Sequence, residues 1–168
     1  TNMREMFSRA SMFNQNIGNW NTSNVTDMYE MFADATAFNQ DIGNWSTSNV
    51  TDMGGMFKYA SAFDQDIGRW NTTSLTNLWS TFAYAILFNQ NLNNWNTSNV
   101  TDMESAFEGA VAFNGDIKNW NTSGVTTFSY MFYDATAFNQ DIGAWTVANV
   151  TDMSGMFYNL SLITIGRG

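Results

Sequence analysis

The sequence predicts an α/β repeat solenoid, a coil of about 6.7 repeats of 25 residues with short parallel strands along one side and short helices along the other. Three observations carry that expectation. Tryptophan falls at positions 20, 45, 70, 95, 120 and 145, a period of 25 with no insertion or deletion. The words FNQNIGNW (13–20), FNQDIGNW (38–45), FDQDIGRW (63–70), FNGDIKNW (113–120) and FNQDIGAW (138–145) recur in register with those tryptophans. Apolar residues hold the same columns from repeat to repeat, as at Met31, Phe32, Ala35, Phe38, Ile42, Val50 and Met53. A unit this small cannot bury its own apolar face, so neighbours must stack.

Within one unit, Val25, Met28, Met31, Phe32 and Ala35 are spaced so that a helix would bring them onto one stripe. Thr26 and Asp27 stand where a helix N-terminus needs a side-chain oxygen and favours negative charge, and Thr101 with Glu104 forms a capping-box pattern. Each TDMxxMFxxA is therefore expected to be a short helix. In FNQDIGNW, Phe38, Gln40 and Ile42 alternate with Asn39 and Asp41, the period-2 pattern of a strand, and the following Gly-Asn pair favours a turn.

The expected organisation is a single solenoid domain over 1–168, with an atypical fourth repeat at about 71–95 and a divergent C-terminal end at 159–168. The chain starts at Thr1 in mid-pattern, which reads as a fragment of a longer protein. IGRG at the end reads as a remnant of a cap or of the next repeat. A repeat stack without polar caps invites end-to-end self-association.

At 168 residues, 44% hydrophobic and 16% aromatic, the chain has enough apolar mass for a substantial core. Fifteen acidic against six basic residues, net −9, argue against a grip on nucleic-acid phosphates. There is no cysteine, histidine or proline, which removes disulfides, thiolate chemistry and cysteine-type zinc sites. The longest near-apolar run, FAYAILF at 82–88, falls far short of the roughly 20 residues that span a bilayer, so no membrane insertion is expected. Catalysis would need carboxylates or a Ser–Lys pair, and neither Lys58 nor Lys118 sits in a nucleophile motif, so no enzyme is expected.

Several columns are candidates for chemistry. Asp41, Asp66, Asp116 and Asp141 form an acid column interrupted by Asn16 and Asn91. On adjacent strands such carboxylates would lie about 5 Å apart, suited to a hydrogen-bonded ladder, to calcium or to a glycosidase-like pair, the ladder being the plainer reading. Asp27, Asp52, Asp102 and Asp152 fall in the expected first helical turn, where structural capping explains them. Gln15, Gln40, Gln65, Gln90 and Gln140 share parity with the buried Phe and Ile and are expected to form an inward amide ladder, with Gly115 as a gap. Thr22, Thr47, Thr72, Thr97 and Thr122 offer evenly spaced hydroxyls, either to order water as ice does or to serve the local turn.

Departures from the repeat carry more information, because consensus positions already have structural work. Between Trp70 and Thr101 there is no charged residue. Asn77 and Asn91 replace the column acids, and Trp79 appears in a variable column otherwise holding Arg4, Tyr29, Gly54, Glu104, Ser129 and Ser154. With Tyr84 in the same segment and Tyr59 one repeat earlier, an exposed, uncharged aromatic patch is a candidate partner site, repeat drift being the plainer reading.

The pattern MFxxAxxFNQDIGNW followed by TSNVTDMxxMF, from Met31 to Phe57, resembles the 25–26-residue repeat of bacterial surface proteins of the BspA-like and mycoplasma-lipoprotein group of the leucine-rich-repeat superfamily. The resemblance covers essentially the whole chain. It implies a right-handed leucine-rich-repeat-like coil on a secreted or cell-surface protein, often adhesive, with no catalytic residue to carry over. The expected function is a non-catalytic extracellular or cell-surface module for adhesion or for binding protein or glycan. The alternatives are a structural spacer or stalk, and a calcium-, carbohydrate- or ice-binding repeat using the strand and turn ladders.

Overall fold

In the computed structural model, which describes residues 1–160, the period of 25 is the spacing between chain segments that touch. Of the expected divergent end at 159–168, positions 161–168, including IGRG, lie outside the described residues. Isolated parallel bridges run Asn2–Asp27–Asp52–Asn77–Asp102–Thr127–Asp152, each joining one coil to the next. Beside them the amides of Thr26, Thr51, Thr76, Thr101, Thr126 and Thr151 donate to the carbonyl one coil earlier at 2.8–3.0 Å.

The expected helices and strands are absent: among the described residues there is neither helix nor extended strand, so the stack is neither the α/β solenoid that the patterning predicts nor the leucine-rich-repeat-like coil that the resemblance implies. The hydrogen bonds show why. Met28, Glu30, Phe32 and Asp34 send their N–H groups forward to the carbonyls of Asp52, Gly54, Met56 and Lys58 at 2.8–2.9 Å. Between them Met31, Ala33 and Ala35 donate three residues back, to Met28, Glu30 and Phe32, at 3.0–3.2 Å. A helix needs every amide to donate four residues back along its own chain, and here every second amide is taken by the next coil.

The dihedrals agree. Glu30 (φ 49°) and Asp34 (φ 58°) are left-handed, and so are their counterparts Glu5, Ser80, Ser105 and Tyr130 in one column and Arg9, Tyr59, Tyr84, Asp134 and Asn159 in the other. A left-handed non-glycine residue costs about 1–2 kcal/mol and interrupts a right-handed helix. The inter-coil bonds and the core offset that cost. The apolar stripe survives, since Met28, Met31, Phe32 and Ala35 are all buried. Apolar spacing of this kind is produced equally well by a run of turns.

The FNQDIGNW word fails as a strand for a related reason. Its coil-to-coil rung is made by a side chain: the amides of Asn39, Asp64, Asn89, Asn114 and Asn139 donate to Oδ1 of Asn14, Asn39, Asp64, Asn89 and Asn114, one coil earlier, at 2.8–3.0 Å. A sheet ladder needs backbone carbonyls at that place. Among the described residues, only Leu92 in this word donates its amide to a backbone carbonyl of the next coil, that of Asp116 at 3.1 Å.

Inside the stack lie ladders of aromatic rings. Phe57 packs against Phe63 at 3.9 Å and continues to Phe32 and Phe82 at 5.7 Å, and Phe38, Phe63, Phe88, Phe113 and Phe138 form a second column at 5.9–6.0 Å. Trp70, Trp95, Trp120 and Trp145 stack at 6.1–6.4 Å. Trp45, Trp70, Trp95 and Trp120 each donate their indole N–H to the carbonyl of Ile17, Ile42, Ile67 and Leu92, so most of the buried indoles are satisfied. Burying such a ring contributes about 1.5–3 kcal/mol.

Candidate functional site

With the core columns occupied by packing, the variable columns decide what the surface offers. Arg4, Tyr29, Gly54 and Trp79 belong to one column on successive coils. The Arg4 guanidinium lies 4.1 Å from the centre of the Tyr29 ring and pairs with Asp27 at 3.2 Å and Asp52 at 3.9 Å. Gly54 carries no side chain, and across it Tyr29 and Trp79 stack with centroids 6.1 Å apart. Trp79 is therefore half-buried, where the sequence predicts full exposure.

Tyr59 and Tyr84 stack at 4.8 Å, and the Tyr84 hydroxyl donates to Glu108 Oε1 at 2.8 Å. That hydrogen bond and partial burial push the Tyr84 phenol up to about 12. The ring of Tyr84 lies over Gly109, whose φ of +63° and missing side chain make room for it. Lys58 Nζ sits 4.9 Å from the Trp79 ring and 5.8 Å from the Tyr59 ring. Trp79 and Tyr59, two of the aromatic residues singled out by sequence, thus flank one ammonium group, and the third, Tyr84, joins them by stacking on Tyr59. The expected uncharged patch is a cation-centred aromatic cluster.

Sequence reading missed Ile86, Leu87 and Val111, which are 42%, 55% and 42% exposed. Ile86 and Val111 replace the small hydroxyl residues Ser11, Thr36, Ser61 and Thr136 of their column. The signal was present in FAYAILF, where an apolar run overrides a polar column. Below the cluster, on the first three coils, a groove of about 420 Å³ borders Lys58 and Tyr59 and takes in Glu5, Arg9, Glu30 and Asp34.

The acid column has structural work in its own turns. Asp41, Asp66, Asp116 and Asp141 each accept, through Oδ1, the amide two residues on at 2.9–3.0 Å, closing a turn. Among the described residues no three acidic side chains gather to hold a metal ion. Asp27, Asp52, Asp102 and Asp152 do the same for the amide two residues on at 2.8–3.0 Å, so their capping chemistry is kept with no helix to cap. At Asp152 the hydrogen bonds from Ser154 lower the carboxyl below its usual range.

Gln40, Gln65, Gln90 and Gln140 are half-buried, not inside the core, and their amides donate to Asn14, Asn39, Asp64 and Asn114 on the neighbouring coil at 2.7–3.0 Å. Thr22, Thr47, Thr72, Thr97 and Thr122 are buried, and each hydroxyl donates to a carbonyl of the next coil at 2.9–3.1 Å, so none is turned to water or ice. The exposed threonine column is another one, Thr1, Thr26, Thr51, Thr76, Thr101, Thr126 and Thr151. Among the described residues no helix is long and apolar enough to cross a membrane.

Two overlapping segments, residues 1–92 and 65–164, match the sequence profile of a family described as Mycoplasma protein of unknown function, DUF285. No curated protein and no solved structure matches the chain.

Proposed function

The chain belongs to that Mycoplasma family of unknown function, and from this membership we propose that it is a cell-surface or extracellular repeat module that binds a protein or glycan without catalysing a reaction. Kinship with BspA-like surface proteins is part of this reading, which concerns role and location and not the leucine-rich-repeat coil. A family of repeat proteins of this kind is consistent with a surface location.

One observation carries the proposal. Consensus columns are consumed by packing and turn closure, while the departures collect near one another: Trp79 and Tyr59 beside Lys58, Tyr84 stacked on Tyr59, and exposed Ile86 and Leu87 close behind Tyr84 on the chain. Aromatic residues beside exposed apolar ones are the usual composition of a recognition surface. A stack of coils presents such a surface on a rigid frame.

The test is to present the purified chain to host-cell surfaces, matrix proteins and a glycan array. A Trp79→Ala/Tyr84→Ala variant and an Ile86→Ser/Leu87→Ser variant, both checked for folding, run alongside. Retention by the parent chain with at least a tenfold loss in either variant is the expected result. A chain that meets none of these surfaces is a spacer, and retention unchanged in both variants moves the site elsewhere.

A further inference from the structure

We propose that the groove on the first three coils binds a neutral oligosaccharide, an inference that rests on the reading of the chain as a binding module and names the ligand class of a second site on it. Glu5 and Glu30 come from one column and Arg9, Asp34 and Tyr59 from another, with buried Ala33 between the two in sequence. Lys58 belongs to the third coil. Gly55, one coil on from Glu30, leaves room for the Glu30 side chain: a Cβ at that place would come within 2.8 Å of Glu30 Cγ. The volume of about 420 Å³ lies within the range of small-ligand sites, about 300–1,000 Å³.

Three features select the ligand. First, among the described residues none of Glu5, Arg9, Glu30, Asp34 and Lys58 has an oppositely charged group within 4.0 Å, whereas Arg4 nearby pairs with both Asp27 and Asp52. The groove thus holds strong acceptors and strong donors that this chain does not use on one another. Second, the two signs nearly cancel, so a polyanion or a polycation would meet like charge in part of the groove. Hydroxyl groups donate and accept at once, and a polyol can serve carboxylates, guanidinium and ammonium along the same face.

Third, the main-chain donors of the groove are taken. The amides of Glu5, Arg9, Glu30 and Asp34 already donate to Tyr29, Ala33, Gly54 and Lys58 at 2.7–2.9 Å. Strand addition pairs donors as well as acceptors along an edge, and the amides that line the groove offer it no donor. Three coils at about 5 Å each give a run of roughly 10 Å, room for one or two pyranose rings.

The 168-residue chain is titrated with maltotriose, mannotriose, lactose and N,N′-diacetylchitobiose, followed by calorimetry and by amide NMR. Oligolysine and oligoglutamate serve as charged controls. At least one sugar is expected to shift the amides of Ser8, Ala33 and Lys58. Glu30→Gln/Asp34→Asn is expected to weaken it at least tenfold, since it preserves shape and leaves asparagine, which tolerates the left-handed conformation, at position 34. Arg9→Gln is the second variant, expected to weaken the same sugar, and Lys118→Gln, outside both surfaces, is expected to leave it unchanged. The inference is overturned if no neutral sugar binds, if binding survives all groove variants, or if a charged control displaces the sugar. Cell or matrix retention that persists when sugar binding fails sinks the groove alone; loss of both sinks the binding-module reading with it.

Discussion

Tyr29 and Trp79 stand two repeats apart in sequence, yet their rings stack at 6.1 Å and 6° because Gly54 between them has no side chain. A Cβ at Gly54 would come within 2.9 Å of Asn77 Nδ2 and 3.1 Å of Tyr29 Cδ2. Gly54→Leu is therefore expected to part the two rings and to destabilise by about 1–3 kcal/mol. Urea denaturation measures the cost, and an unchanged midpoint would contradict the stack.

Ser105 lies in the left-handed region at φ 55°, in the column where Gly55 and Gly155 stand at 63°. In a helix, serine to glycine would lose roughly 0.5 kcal/mol or more. Here Ser105→Gly relieves an unfavourable backbone conformation, and a gain of up to about 1 kcal/mol is expected after the extra freedom of the unfolded glycine is deducted. The sign of the change in urea midpoint separates the two backbones, and far-UV circular dichroism without a helical double minimum is the companion result.

Asn39 Oδ1 accepts two hydrogen bonds from the next coil, from the Asp64 amide at 3.0 Å and from Gln65 Nε2 at 2.9 Å. Asn39→Ala leaves both donors without that acceptor and should cost about 1–3 kcal/mol. Asn39→Asp should be tolerated, because Asp64 already fills the same role toward Asn89 and Gln90. Equal stability of the two variants would remove the side-chain rung.

Phe57 is fully buried and touches four other aromatic rings of the ladder. Phe57→Ala should cost about 3–5 kcal/mol, with Phe57→Leu well below that, read from thermal or urea unfolding.

The Tyr84 phenol, pushed up to about 12 by its hydrogen bond to Glu108 and by partial burial, links stability to alkaline pH. Its folded value lies above the ordinary 10, so the contribution is fully present below pH 10 and is lost as pH rises through about 12. Spectrophotometric titration should find a tyrosine ionising at about 12 that is missing in Tyr84→Phe. In Glu108→Gln that ionisation is expected to move down and the loss of stability between pH 10 and 12 to flatten.

Much of the scaffold was legible in one dimension. The columns of Phe32, Phe38, Trp45, Ile42 and Val50 are the columns of the core, since in a repeat of constant length each position meets its own copies. Trp79, Tyr59 and Tyr84 were legible as departures, but not the ammonium beside Trp79 and Tyr59, because Lys58 joins the cluster through space and its column elsewhere holds Ser8, Ala33, Ala83, Glu108, Tyr133 and Tyr158. The groove was illegible for the same reason: its side chains come from three coils, and their lack of ion-pair partners is a fact about distance.

The sequence by itself determined the period, the stacking of neighbours and the identity of the buried rings, because apolar burial depends on the residue type repeated in a column. Only the tertiary structure decided the path of the backbone. The amides of Glu30 and Asp34 find carbonyls on the next coil and leave no helix to form, and Asn39 puts a side chain where a strand would need a backbone rung. It likewise decided which threonines face water, since Thr22 and Thr26 differ not in chemistry but in which side of the coil wall their hydroxyls reach.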